Sequence, residues 1–267
     1  MKSSSSSIVF VGTSSGKTSL KRFHSSLLLK SPSFNLLIDC GDGISRALLT
    51  QQISLDLIDG ILISHLHPDH SAGLPSLIVQ MKQLKRLKNL KIFCHKNLVL
   101  ALKNLLHQTF VFTENATFRL EYFEYEHEEV IEISNYFSLI SKQNSHLDKY
   151  KKYLGESCNE ILSSSFLFNL DGIKVYYSGD ILSKQDLFLF EPYKPEIIIT
   201  EMTHIDLENL VELIETVDPK RVYLTHISDA LEKSLIEKLA KFPSEQKHKV
   251  VIASDGLSVD VFNTSTL

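Results

Sequence analysis

Apolar residues fall in short runs separated by polar turns, and stretches of helical period lie between the runs. Ile8–Val11 predicts a first strand. Ser25–Leu29 and Phe34–Ile38 predict two more, joined across Ser31-Pro32-Ser33 as a hairpin. Ile44–Gln51 predicts a helix, and Ile61-Leu62-Ile63-Ser64 a buried strand. In Gly73–Arg86 the residues Leu74, Leu77, Ile78, Met81 and Leu84 share one helical face. Lys91–Cys94 predicts a strand, Asn97–Gln108 a helix, and Phe118–Tyr125, Val130–Ile133 and Tyr136–Ile140 further strands. Ser164–Leu170 and Ile173–Tyr177 read as a hairpin across Asp171-Gly172. Glu196–Thr200 and Arg221–Leu224 are strands, each followed by a helix: Asp206–Thr216, with Asp206 as N-cap, and Ala230–Ala240. Val250–Ala253 and Leu257–Val261 read as a closing hairpin around Asp255-Gly256. No linker, low-complexity block or fixed-period repeat interrupts the pattern. The expectation is an α/β (α+β) chain with one domain spanning residues 1–267.

Composition narrows the function. The 28 Lys and Arg against 32 Asp and Glu give a net charge of −4, which argues against a surface devoted to nucleic acid. The far end of the Gly73–Arg86 helix is basic (Lys82, Lys85, Arg86, Lys88, Lys91) and reads as a solvated helix face. The 3 cysteines, Cys40, Cys94 and Cys158, have no metal or disulfide spacing and suit a reducing compartment. The start, Met1-Lys2 and then serines, has too short an apolar run for a secretory signal, and no window approaches a membrane span. A cytoplasmic protein with no membrane partner is expected. Gly12 to Gly16 resembles a phosphate loop, but three residues separate the glycines where a Walker A loop needs four. It reads as a turn near the mouth of the site.

The chemistry concentrates where the strand ending at Ser64 stops. His65, His67, Asp69 and His70 follow within six positions, and Pro68 takes the chain off the sheet onto a loop. Imidazole and carboxylate suit zinc, iron or manganese. Four such ligands in so short a run exceed what one tetrahedral ion with an open position would take, so two ions are expected. Asp39 sits at a turn where a carboxylate could orient a metal-bound imidazole. His95, His107, His127 and His248 lie in no ligand pattern.

The H-x-H-x-D-H run after a buried strand resembles the metallo-β-lactamase superfamily of binuclear hydrolases. Leu36 to Gly43, with Asp39-Cys40-Gly41-Asp42-Gly43, resembles the ribonuclease Z branch, where Asp-Cys-Gly-Glu-Gly is usual. Val11 to Gly16 followed by Ser25-Ser26-Leu27, Val175 to Asp180, and Tyr223 to His226 extend the likeness in the right order over most of the chain. The resemblance implies an αββα four-layer sandwich. It also implies that His65, His67 and His146 hold one ion, that Asp69, His70 and His226 hold the other, and that Asp180 bridges them. The ions expected are two divalent transition metals, zinc first, with manganese or iron as alternatives. Two metals about 3.5–4 Å apart share a water, lower its pKa and clamp the oxygens of an in-line displacement. Asp69 is expected to serve catalysis as well as metal binding.

In ribonuclease Z relatives a Glu-Ala-Thr stretch and a later His-Ser-Thr stretch supply an acid pair. Glu201 and Thr203 resemble the first and His204 the second, with the segment between them missing. Thr200 stands where a histidine is usual, and Ile-Ser-Asp follows His226 without the usual basic and aromatic residues. His204 is the expected general acid, positioned by Glu201. Such enzymes commonly grip transfer RNA with a long Gly/Pro-rich arm, which the common bacterial form carries between its third histidine and the bridging aspartate. Here that interval, His146 to Asp180, holds the polar insert Leu147–Glu160 and a hairpin. The insert, with Lys149, Tyr150, Lys151, Lys152 and Tyr153, is placed to wall the pocket and meet substrate. A phosphodiesterase acting on a small diester or nucleotide, such as a cyclic nucleotide, is therefore expected first. A transfer-RNA 3′ endonuclease, with RNA as partner, is the alternative. A thioester or lactone hydrolase, or a non-catalytic metal-binding protein, comes next. A homodimer is among the expected assemblies.

Overall fold

A computed structural model describes residues 6–154 and 161–263. Cys158 and the end of the Leu147–Glu160 insert lie outside the described residues. The strands form two seven-stranded sheets. The first contains β1 (Ser7–Gly12), β2 (Ser26–Lys30), β3 (Asn35–Ile38), β4 (Gly60–Leu62), β5 (Leu90–His95) and β6 (Leu120–Tyr125). The second contains β7 (Val130–Ser134), β8 (Phe137–Gln143), β9 (Ser164–Leu170), β10 (Ile173–Tyr177), β11 (Ile197–Glu201), β12 (Arg221–Thr225) and β13 (Val250–Ile252). The last strand, β14 (Ser258–Asp260), returns to pair with β1 in the first sheet.

Strand alternation explains the layers. In β2, Leu27 and Leu29 face one apolar cluster while Leu28 faces another. Leu36 and Ile38 of β3 oppose Leu37 in the same way, as does Ile198 between Ile197 and Ile199 of β11. Both faces of these strands are apolar because both are covered. The shared cluster lies between the sheets, where Phe10, Leu62 and Phe93 of one meet Phe166, Phe168 and Tyr223 of the other. The outer face of the first sheet packs on α1 (Ile44–Thr50), through Ala47 and Leu48, while α2 (Pro68–Ser71) is a single turn after β4. The same face receives α3 (Leu74–Gln83) and α4 (Val99–Gln108) through Leu77, Ile78 and Leu102. The single-turn α5 (Lys184–Leu187) is followed by α6 (Leu207–Val217) and α7 (Asp229–Ala240), which cover the second sheet through Leu210, Leu213 and Leu235. The result is the expected αββα order of four layers.

Two expectations are corrected. The closing hairpin does not form, because β13 pairs parallel with β12 in one sheet and β14 antiparallel with β1 in the other. The turn between them is held on the first strand's side: Asp255 accepts hydrogen bonds from Thr13 Oγ1 (2.6 Å) and Phe23 N (2.6 Å), and Gly256 N donates to Phe10 O (2.8 Å). An Asp-Gly pair specifies a local reversal, but the apolar face that each strand must bury chooses its partner. Arg86 is not solvated either. It is buried, and its guanidinium donates to the carbonyls of Leu55, Ile58, Lys88 and Asn89, tying the end of α3 to the segment before β4.

Parallel pairing sets up the site. β3, β4 and β5 run parallel, as do β10, β11 and β12, so within each set the C-terminal ends share one edge. Every residue singled out as a ligand follows a strand end there or at the end of β8.

Candidate metal centre

The run after β4 is part loop and part helix. His65 and His67 precede Pro68, which occupies the first position of α2, where its fixed φ and missing N–H cost nothing. Asp69 and His70 therefore lie on a helical turn rather than on the expected loop. Glycines admit this turn: a Cβ at Gly41 would meet Asp69 O at 1.9 Å, and one at Gly16 would meet Asp69 Oδ2 at 3.0 Å. Gly16 places the Gly12–Gly16 turn against the Asp69 carboxylate, as expected of a turn at the mouth of the site.

Seven side chains converge. Donor atoms of His65, His67, His146 and Asp180 lie within 4.8 Å of one another, and so do those of Asp69, His70, Asp180 and His226. Asp180 belongs to both sets. The spacings are those of ligands around an ion. His226 Nε2 is 3.2 Å from Asp180 Oδ2 and 3.4 Å from Asp69 Oδ2, and His70 Nε2 is 3.3 Å from Asp180 Oδ1 and 3.5 Å from Asp69 Oδ2. His146 Nε2 is 3.1 Å from His67 Nδ1. A tetrahedron with metal–ligand bonds of about 2.0–2.1 Å has edges of about 3.3 Å.

The hydrogen bonds select the ligand nitrogens. Asp39 Oδ2 accepts from His70 Nδ1 (2.8 Å) and Ser64 Oγ (2.8 Å), and Oδ1 accepts from Ser64 N (2.8 Å). Ser64 has one O–H and gives it to Asp39, so its Oγ accepts from His65 Nδ1 at 3.1 Å. Thr203 repeats the device, donating to His226 O (3.1 Å) while its Oγ1 accepts from His226 Nδ1 (3.3 Å). In each histidine Nε2 is left to face the centre. The Nε2 atoms of His65 and His70 are buried without a hydrogen-bond partner, as atoms reserved for a metal would be. A neutral-imidazole and carboxylate donor set with two buried orphan nitrogens fits a pair of divalent transition ions.

Electrostatics divides the two sets. Burial pushes His65 well below the ordinary histidine value, and it lowers His146 to about 4. Burial also opposes charge on His70 and His226. There, however, the charges of Asp180 and Asp39 outweigh it at His70, and those of Asp180, Asp69 and Glu201 outweigh it at His226. His70 is raised well above the ordinary range and His226 to about 10. Asp180 and Asp69 remain ionised despite their burial, held low by His226 and by the charge of His70.

Glu201 and His204 are also brought to this edge. Glu201 ends β11 and is fully buried. Its Oε1 accepts from His204 Nδ1 (2.7 Å) and Ile181 N (2.9 Å), and its Oε2 accepts from Thr203 N (2.8 Å). The His204 ring is 5.9 Å from that of His146 and reaches solvent.

Several supporting residues go beyond the sequence expectations. Asp186 Oδ1 accepts from Ser145 N (3.0 Å), and Oδ2 accepts from Ser145 Oγ (2.6 Å), Leu182 N (3.1 Å) and Ser183 N (3.1 Å). It staples the segment carrying His146 to the one carrying Asp180. The Ser183-x-x-Asp186 spacing of a capping box is the sequence signal for it. Ser64 and Tyr177, whose hydroxyl lies 3.4 Å from Asp39, carry no signal beyond ordinary strand residues. His95 and His127 stack on each other at 4.6 Å and belong to neither ligand set, and His127 Nε2 bonds Ser164 Oγ at 3.0 Å.

This chain is 26% identical to a ribonuclease Z of Methanocaldococcus jannaschii over an alignment of 312 positions that covers 95% of this chain and 96% of that protein. Among solved structures, the metallo-β-lactamase fold protein YhfI of Bacillus subtilis superposes with a TM-score of 0.73 at 16% identity, over 96% of this chain and 99% of that one. A diphosphatase from the PhnP family superposes with a TM-score of 0.65 at 19% identity, over 95% and 96%. These structural likenesses establish the metallo-β-lactamase fold. The family described as "Anti-Pycsar protein Apyc1" matches residues 6–252, and this chain belongs to that family.

Proposed function

We propose that the protein is a binuclear metal-dependent phosphodiesterase acting on a small phosphodiester such as a cyclic nucleotide. The observation that carries this reading is the joining of two ligand sets through Asp180 with a histidine–glutamate pair beside them. Two divalent ions held by these residues, zinc first, would supply Lewis-acid activation of a water and neutralise charge developing on phosphorus. The remaining work falls to the chain's own groups. Glu201 fixes the His204 ring through Nδ1, so Nε2 is the atom that delivers a proton to the leaving oxygen. The Ile181 N to Glu201 bond ties that acid to the Asp180 segment. Asp39 and Thr203 orient His70 and His226, which with Asp69 would hold the second ion.

The substrate is small in this reading because the described residues between His146 and Asp180 form no long arm. The archaeal alignment runs longer than the 267 residues of this chain, so that relative carries segments this chain lacks. Between His146 and Asp180 the described residues form one short 3-10 helix and a hairpin. The ribonuclease Z likeness favours the second reading, cleavage at the 3′ side of transfer RNA. A panel of cyclic nucleotides, an aryl phosphodiester, precursor transfer RNA, a thioester and a lactone decides between them. Turnover of cyclic nucleotides well above precursor RNA is expected. Efficient, site-selective RNA cleavage establishes the second reading, and cleavage of only the thioester or lactone overturns both.

A further inference from the structure

We propose that the 3-10 helix Asp148–Tyr153 is a nucleobase platform, on which Tyr150 and Tyr153 stack the base of a mononucleotide while Lys149 meets its phosphate. The proposal rests on the phosphodiesterase reading and adds the part of the substrate remote from phosphorus.

The helix begins two residues after His146, so its position is tied to the centre. The Tyr150 ring stands edge to face with His67, with centroids 5.6 Å apart at 88°. The Tyr153 ring follows at 6.5 Å from Tyr150. Both are left in water, Tyr150 at 38% and Tyr153 at 71% exposure. Tyr153 is largely uncovered and Tyr150 partly so, which leaves aromatic surface beside the centre for a planar ring. Cations sit with them: Lys149 Nζ is 5.3 Å from the Tyr150 ring centre, and Lys152 Nζ is 4.9 Å from that of Tyr153. Lys151 is instead paired with Asp148 at 2.9 Å. Lys149 follows His146 by three residues and neighbours Tyr150, whose ring faces His67.

An alternation of tyrosine and lysine within one short turn suits a ligand that is both planar and anionic. The two ring centres lie 6.5 Å apart with their planes inclined at 44°, and Tyr150 lies against a ligand histidine. The platform therefore reads one base next to the reacting phosphorus rather than a run of nucleotides.

The test uses the full metal-loaded chain and two probes. One is a slowly hydrolysed phosphorothioate of a 3′,5′-cyclic mononucleotide, and the other is the same cyclic ribose phosphate without its base. Calorimetric affinities and steady-state KM are measured for both. The wild type is expected to prefer the nucleotide by about tenfold or more, and Tyr150→Ala to erase most of that preference. Tyr150→Phe keeps it, and Tyr153→Ala lowers it in the same direction. Lys149→Ala weakens both probes alike. An unchanged preference in Tyr150→Ala and Tyr153→Ala, with metal content retained, overturns the platform while leaving the phosphodiesterase reading intact. Failure of the wild type to bind or cleave any phosphodiester removes the reading and the platform together.

Discussion

Asp39 accepts the Nδ1 proton of His70 at 2.8 Å, and neither side chain touches solvent. One carboxylate thereby fixes the ring of one ligand directly and that of another, His65, through Ser64. Asp39 itself has φ 57°, a left-handed conformation that aspartate and asparagine tolerate better than most residues. Asp39→Asn therefore keeps the backbone and removes the charge. It is expected to lower metal affinity or turnover about 10- to 100-fold, measured by zinc titration and steady-state kinetics. Wild-type behaviour would make the pair a packing contact only.

Loading the centre should release protons. In the metal-free protein His226 is raised to about 10 and is charged at pH 7.5, and the carboxylates of Asp180 and Asp39 shift His70 in the same direction. Both must be neutral to bind a metal. Calorimetry in buffers of different ionisation enthalpy should report at least one proton released per chain filled, from His226, and affinity should rise with pH up to about 10. The sign reverses for the metal-free fold. Stability from these charged histidines is fully present below about pH 6.5 and is lost as pH rises through their folded values. Release of less than one proton would contradict the charge assignment.

His204 is tied at Nδ1 and open to solvent on its other side. His204→Ala should slow diesters with poor leaving groups at least tenfold more than nitrophenyl diesters, with metal content unchanged. Equal slowing of both would remove its role as proton donor.

Asp186 accepts five hydrogen bonds from two segments that carry different ligands. Asp186→Ala leaves buried N–H groups unpaired, at a cost of about 1–3 kcal/mol each where water does not replace the carboxylate. A lower melting temperature and weaker binding of both ions are expected, because His146 and Asp180 are both held through it. Loss of stability with both affinities intact would confine Asp186 to folding.

Much of the centre was legible because metal ligation demands particular side chains, and parallel strands deliver them at their ends. His65 to His70 announce themselves by density, and the metallo-β-lactamase resemblance supplies His146, Asp180 and His226. Local signals failed where the outcome is set at a distance. The Asp255-Gly256 turn looks like a hairpin, yet its strands part because each sheet needs a different apolar face covered. Arg86 looks solvated, yet it is buried among the carbonyls of Leu55, Ile58, Lys88 and Asn89, all outside α3. His226 adopts φ 56°, in the left-handed region, which nothing in Tyr223-Leu224-Thr225-His226 foretells. The hydroxyls of Ser64 and Thr203 set the nitrogen each neighbouring histidine presents, and no spacing rule marks such residues.

The claim on which everything else depends is that seven side chains hold two ions through a shared Asp180. Titration of the metal-depleted full chain with zinc tests it most directly. The binding curve should break at two equivalents per chain, and Asp180→Ala should weaken both steps. A break at one equivalent, or no saturable binding, would contradict the account.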